Sequence, residues 1–143
     1  MQNVNKRSNL PAQLNCIKKA DREDKMNYSN ILEQLLLKFP KLKKDMDDND
    51  YLQDLPHCFF DIILVRYIIS ACKNEDKNLL VRAGEFFEQM ALCDDENVRE
   101  LLNVSLLEPF VLEKENVIPI LKNYLGKNTL KELEYWQKRY NKF

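Results

Sequence analysis

The scarcity of glycine is the feature that most limits what this chain can fold into. Only Gly84 and Gly126 occur among 143 residues, whereas average usage would supply roughly ten. Tight β-hairpins, phosphate-binding loops and nucleophile elbows depend on glycine, because they need positive φ angles or a close approach of the backbone. Helices joined by short polar turns have no such requirement. The glycine content therefore favours an all-α fold and argues against those classes of enzyme.

Length and charge indicate one helical domain with a short basic segment in front of it. A hydrophobic content of 45% in 143 residues is enough for one domain with a real core. The formal net charge is -1, so no overall field favours nucleic acid or an anionic membrane. Residues 1–25 carry six basic against three acidic side chains, while residues 26–143 carry sixteen against twenty. We expect residues 1–25 to form a loosely held basic arm and residues 26–143 to form the helical domain.

The cysteines and the apolar stretches indicate a reducing compartment. No C-x-x-C pair is present, and three of the four cysteines lie in apolar helical patterns, where we expect them to be small buried hydrophobic residues. We expect no signal peptide. The longest apolar stretch, residues 62–72, is interrupted by Arg66 and is too short to span a bilayer. We therefore expect a cytoplasmic protein without a membrane segment. The cysteines are Cys16, Cys58, Cys72 and Cys93.

Apolar residues recur at helical spacing and predict a single domain of about six antiparallel helices. Pro40 should end the first helix, and an acid-rich connection that is partly helical should follow it. Gly126 lies where a left-handed C-cap would end the fifth helix, and Thr129 with Glu132 has the spacing of a capping box for the last. The predicted helices cover residues 29–39, 56–72, 76–90, 95–109, 116–125 and 129–142.

A repeated spacing leaves two arrangements of these helices open. Asp76 and Asp95 are both suited to be helix N-caps, and they lie nineteen residues apart. Such a stride is half of a HEAT-like repeat. The sequence therefore fits either a short HEAT-like solenoid or an irregular bundle, because both have the same helical periods.

The only histidine does not complete a metal site or a catalytic dyad. His57 and Asp61 lie on one helix face with Cys58 adjacent, but zinc requires three or four converging ligands. Neighbouring helical residues point about 100° apart, which disfavours a His57–Cys58 dyad. We expect His57 to lie in the first turn of its helix and to be satisfied by backbone or solvent. No metal, no cofactor and no catalytic residue is predicted.

One arginine in the most apolar helix predicts a buried ion pair. Arg66 needs a carboxylate partner if it is buried, and Glu85, Glu88 and Glu108 are the candidates. The alternative is that these three glutamates line a pocket, which would suit a small enzyme or a ligand-binding domain.

An acidic run supplies the candidate partner-binding residues. Asp47, Asp48, Asp50 and Asp54 lie in the connection after the first helix, and they could dock a basic partner or simply be solvated. The basic and aromatic residues at the end of the chain resemble a nucleic-acid surface. However, Trp136 lies on the apolar stripe of the last helix, so we expect no nucleic-acid binding.

Four segments resemble a group of small bacterial helical proteins of uncharacterised function, some of which are suspected immunity proteins of toxin systems. The segments are GEFFEQM (84–90), DDENV (94–98), NVSLLE (103–108) and YLGKNT (124–129). The resemblance implies a non-catalytic cytoplasmic binder with one protein partner, most concretely a toxin. An adaptor or regulatory subunit with a HEAT-like concave surface is the alternative.

Overall fold

Seven helices make up the domain, and no strand occurs in the part of the chain that the structure describes. The structure is a computed structural model that describes residues 25–142. The basic arm expected at the start of the chain thus falls, apart from its last residue, outside the described residues. The all-α prediction is confirmed. The helices are α1 (Ile31–Lys38), α2 (Lys43–Asp48), α3 (residues 56–73), α4 (Lys77–Ala91), α5 (residues 96–112), α6 (Ile118–Leu121) and α7 (Lys127–Tyr140).

Short 3-10 turns connect several of these helices. Tyr28–Asn30 leads into α1, Pro40–Leu42 leads into α2, Asp50–Leu52 follows α2, and Lys122–Tyr124 continues α6. The acid-rich connection is therefore more ordered than the sequence predicts, because α2 and a 3-10 turn account for most of it. None of the helices in residues 25–142 is both long and apolar enough to cross a membrane.

The two predicted N-caps are confirmed. The Asp76 carboxylate accepts a hydrogen bond from the backbone N–H of Leu79 at 3.2 Å, and it begins α4. The Asp95 carboxylate accepts one from the N–H of Asn97 at 2.9 Å, and it begins α5. The same carboxylate also accepts the N–H of Tyr28 at 2.8 Å. Asp95 therefore caps α5 and ties the segment before α1 to it.

Helices α3 and α5 each contain a π-helical turn. These turns are Phe60–Leu64 and Asn103–Leu107, and they contact one another across the α3–α5 interface. The turn in α5 ends two residues before Pro109. In a regular α-helix, this proline would clash with the carbonyl four residues earlier. The wider π-helical turn changes which carbonyl lies opposite the proline ring, and so avoids this clash. Helix α5 therefore continues to Leu112 instead of ending near Pro109 as the sequence predicts.

Helix α4 lies at the centre of an irregular bundle. It contacts its neighbours α3 and α5, and it also contacts α1 and α7, which are distant along the chain. In a solenoid each repeat contacts only its neighbours. The return of α7 onto both α4 and α5 therefore identifies a bundle. The largest side chains of its core are Phe39, Phe59, Phe60, Phe86, Phe87 and Phe110.

Both glycines occur where two segments of backbone or side chain approach closely. A Cβ atom on Gly84, within α4, would overlap the carbonyl oxygen of Tyr124. Gly126 has a φ of -76° and precedes α7, so the predicted left-handed C-cap is wrong. A Cβ there would lie 2.5 Å from the carboxylate of Glu88. Glycine is thus required at these positions by the packing of α4 against the chain before α7.

Candidate functional site

Residues 45–55, called here the acidic edge, form an ordered strip on the surface. Met46 and Leu52 point into the core and are 5% and 1% exposed. Between them, the side-chain amide of Asn49 donates a hydrogen bond to the backbone carbonyl of Asp45 at 2.8 Å, which closes the end of α2. The buried side chains fix the strip against the core. The intervening side chains are therefore held outward in a defined arrangement.

The four predicted partner-binding residues all lie exposed on this edge. Asp47 and Asp48 pair with lysines four residues earlier, Lys43 and Lys44, at 2.7 and 2.8 Å. Within residues 25–142 no cationic group lies within ion-pair distance of Asp50 or Asp54. Exposed ion pairs of this type contribute little to stability and exchange readily with water or a partner. The edge therefore offers carboxylates that a basic surface could bind.

Two apolar side chains lie among the carboxylates, and sequence reasoning missed them. Tyr51 is 67% exposed and Leu55 is 45% exposed. The sequence could have indicated them, because a tyrosine and a leucine within a strongly polar connection have no obvious role in a solvated loop. Exposed tyrosine surrounded by charged groups is typical of the centre of a protein–protein contact.

The predicted buried ion pair of Arg66 does not form. Arg66 has a side chain that is 65% exposed, and it binds Glu113 at 3.3 Å. Helix α3 is not apolar all round, because Ile62, Arg66 and Ser70 make a stripe with a spacing of four that faces solvent. The prediction was wrong because it treated every side of this helix as buried.

The three glutamates proposed as partners of Arg66 have separate roles. Glu85, on the surface of α4, pairs with Lys38 at 3.3 Å. Glu108 accepts a hydrogen bond from the hydroxyl of Tyr140. Glu88 belongs to α4, and its side chain reaches the start of α7. The carboxylates therefore do not converge on one pocket, although Glu85 and Glu88 both line an open cavity of about 400 Å³ beside Tyr124.

Glu88 caps α7 from another helix. Its two oxygens accept the backbone N–H and the side-chain amide of Asn128 at 3.1 and 2.7 Å, and the N–H and hydroxyl of Thr129 at 2.9 and 2.8 Å. Burial raises the pKa of Glu88, but these hydrogen bonds outweigh it and hold the pKa below its ordinary value. The predicted capping box from Thr129 is therefore replaced by a carboxylate of α4.

The single histidine binds a buried serine across two helices. His57 Nδ1 lies 2.6 Å from the hydroxyl of Ser105, which belongs to the π-helical turn of α5 and is 3% exposed. The expectation that backbone or solvent satisfies His57 was wrong. The pair therefore ties the first turn of α3 to α5. Cys58, expected to be buried, is exposed instead.

No group of three or more histidine, cysteine or acidic side chains within residues 25–142 is arranged to hold a metal ion. The acidic edge is consistent with that finding, since its carboxylates are spread along a helix and a turn. Among the described residues, the edge offers no enclosed ligand cage.

Comparison with known proteins identifies a family. A family model described as "Domain of unknown function (DUF7674)" matches residues 32–142. No curated protein and no solved structure matches the chain. The matched region begins within α1 and runs through the end of α7, so it includes the acidic edge and both glycine contacts.

Proposed function

The chain belongs to the DUF7674 family, a domain of unknown function, and we propose that it is a non-catalytic protein-binding module. Its binding surface is the acidic edge, and its partner is a protein with a basic surface. The observation that carries this proposal is the exposure of Tyr51 and Leu55 within a strip of carboxylates that the core holds in place.

Tyrosine and leucine would supply the apolar centre of the contact. Residues that dominate binding energy are enriched in tyrosine and lie in a water-excluded patch surrounded by polar side chains. Tyr51 at 67% exposure has most of its ring still to bury. Asp50 directly precedes Tyr51 and Asp54 directly precedes Leu55, and these two carboxylates would form the polar rim.

Carboxylates on the rim select for a basic partner. Complementary charge speeds encounter and fixes the register of the two surfaces. Asp47 and Asp48 are held by lysines of their own helix, and a partner's arginine could replace those lysines, because an arginine binds a carboxylate through two hydrogen bonds. Such attraction between exposed charges is screened over about 8 Å at physiological salt. Binding should therefore weaken as salt concentration rises.

An immunity protein that neutralises a cognate toxin is the most concrete form of this proposal. Nuclease toxins need cationic surfaces to hold nucleic acid, and an acidic, ordered strip suits the blocking of such a surface. The resemblance to suspected immunity proteins supports the same assignment. In this role the domain needs no catalytic residue, and its helical core serves only to present the edge.

Capture from the native cell lysate tests the docking surface. The tagged chain is compared with a variant carrying Asp47→Asn, Asp48→Asn, Asp50→Asn and Asp54→Asn, and with Tyr51→Ala. The matched control removes four exposed charges elsewhere, in Glu75→Gln, Glu96→Gln, Glu100→Gln and Glu134→Gln. Circular dichroism melting first establishes that all variants fold.

The result expected is one basic protein captured in stoichiometric amount by the native chain and by the control. Its capture should be lost with the aspartate variant and with Tyr51→Ala, and it should decline with salt. Equal capture by all four proteins would refute the acidic edge as the docking surface. Co-expression then tests the toxin role, because the captured protein should arrest growth alone and lose that effect when the native chain is present.

A further inference from the structure

An open cavity shares no residue with the acidic edge. It is bounded by the end of α5, the start of α6 and the end of α7, and its volume is about 400 Å³. That size falls within the range of small-molecule sites, which run from about 300 to 1,000 Å³. The cavity is distinct from the acidic edge, so what binds there goes beyond the proposed function.

The lining of the cavity includes a buried amide that has no hydrogen-bond partner among residues 25–142. Gln137 is 7% exposed and continues the buried stripe of α7 after Thr129 and Leu133. Its backbone carbonyl accepts the N–H of Lys142 at 2.8 Å, but within residues 25–142 its side-chain amide makes no hydrogen bond. A buried amide left unpaired is unfavourable, and a leucine in this stripe would avoid that cost. The amide therefore offers a donor and an acceptor to a bound molecule.

Three lysines line the same cavity. Lys114, Lys122 and Lys142 line the cavity, and in the described part of the chain no carboxylate lies within ion-pair distance of any of them. The one acidic residue of the lining, Glu113, is already bound by Arg66 at 3.3 Å. The cavity consequently carries a net positive charge.

The remaining walls are apolar. Val111, Leu112, Ile118 and Pro119 provide them, and such walls favour an uncharged, hydrophobic body on the ligand. We infer that this cavity binds a small amphipathic organic anion, with its apolar body against these walls, its carboxylate or phosphate near the lysines, and a hydrogen bond to the Gln137 amide.

Nuclear magnetic resonance titration of the full chain, labelled with nitrogen-15, tests this site. The probes are 1-naphthoate and 1-naphthyl phosphate. Two controls each carry one part of the ligand: neutral 1-naphthol has the apolar ring without the anionic group, and inorganic phosphate has the anion without the ring. The Gln137 side-chain signals are assigned by their loss in Gln137→Leu. Both naphthyl anions should shift these signals, and each should bind about tenfold more tightly than naphthol or inorganic phosphate.

Two variants separate this site from general attraction to a helical surface. Replacing Lys114, Lys122 and Lys142 by alanine should reduce affinity for the anions by about tenfold. The control replaces three exposed lysines of α7, Lys127, Lys131 and Lys138, and should leave affinity unchanged. The Gln137→Leu variant should bind weakly yet melt at a higher temperature than the native chain.

Three binding results would overturn the inference, and so would one result from thermal melting. These are naphthol binding as tightly as the two anions, inorganic phosphate binding as tightly as naphthyl phosphate, and equal losses in the two lysine variants. A lower melting temperature in Gln137→Leu would also overturn it, because that would mean the amide already has a partner. A failure of the acidic-edge experiment would leave this site unaffected, since the two surfaces share no residue.

Discussion

Replacing Glu88 by alanine should destabilise the domain more than any other single carboxylate substitution. The side chain accepts four hydrogen bonds from Asn128 and Thr129, and Thr129 is fully buried. Loss of a helix cap costs about 1 kcal/mol. Leaving the buried N–H and hydroxyl of Thr129 without an acceptor costs about 2 kcal/mol more. The expected loss is about 3 kcal/mol, or about 10 °C in melting temperature for a domain of this size.

Acid should remove part of this contribution. Because the pKa of Glu88 is lowered in the folded protein, the unfolded chain binds the proton more tightly. The stabilisation is therefore fully present above the unfolded pKa, about 4.3, and is lost as pH falls through the lower folded value. Glu88→Gln keeps one acceptor oxygen and cannot ionise. Its deficit relative to the native chain should be largest near neutral pH and should shrink below about pH 4.

Urea unfolding followed by circular dichroism, at pH 7 and at pH 3.5, measures both effects. A double-mutant cycle with Gly126→Ala adds a geometric control. A Cβ at position 126 would lie 2.5 Å from the Glu88 carboxylate, so Gly126→Ala should be harmful in the native chain and nearly neutral in the Glu88→Ala background. A loss below about 1 kcal/mol for Glu88→Ala, or strict additivity with Gly126→Ala, would refute the capping role.

Three further predictions concern packing and accessibility. Gly84→Ala should lower the free energy of unfolding by about 2 kcal/mol, although alanine has the better helix propensity. The reason is that the new methyl group would overlap the Tyr124 carbonyl. An unchanged melting temperature would contradict that contact. Cys58 is exposed, whereas Cys72 is buried and its burial raises the pKa of its thiol. Cys72 should therefore be alkylated about a thousandfold more slowly than Cys58, as measured by peptide mass spectrometry after timed alkylation. Trp136→Phe removes an indole hydrogen bond of 2.8 Å to α5 and should cost about 1 kcal/mol in urea unfolding; no change would mean that water replaces it.

The acidic edge was only partly predictable from the sequence. Asp47, Asp48, Asp50 and Asp54 were identified because carboxylates in a connection are rarely buried. The exposure of Tyr51 depends on which residues of the segment contact the core, and those are Met46 and Leu52. Periodicity within so short a segment cannot fix that choice, because a turn follows α2 and interrupts the helical spacing.

The sequence by itself determined the helical class, the order of the helices and the two N-caps Asp76 and Asp95. Each of these depends on residues within a few positions of one another, through helical spacing and the local hydrogen bond of a cap. The scarcity of glycine excluded the main alternatives on the same local grounds.

Only the tertiary structure decided which distant groups meet. Glu88 caps α7 through Asn128, forty residues later, and Arg66 faces solvent beside Glu113. Gln137, whose side-chain amide has no partner among residues 25–142, lines one cavity with three lysines. The need for glycine at positions 84 and 126 also comes from tertiary contacts, since each glycine leaves room for a residue that is distant in the sequence. These arrangements follow from how whole helices pack, and packing depends on shape complementarity across the domain, which local spacing does not encode.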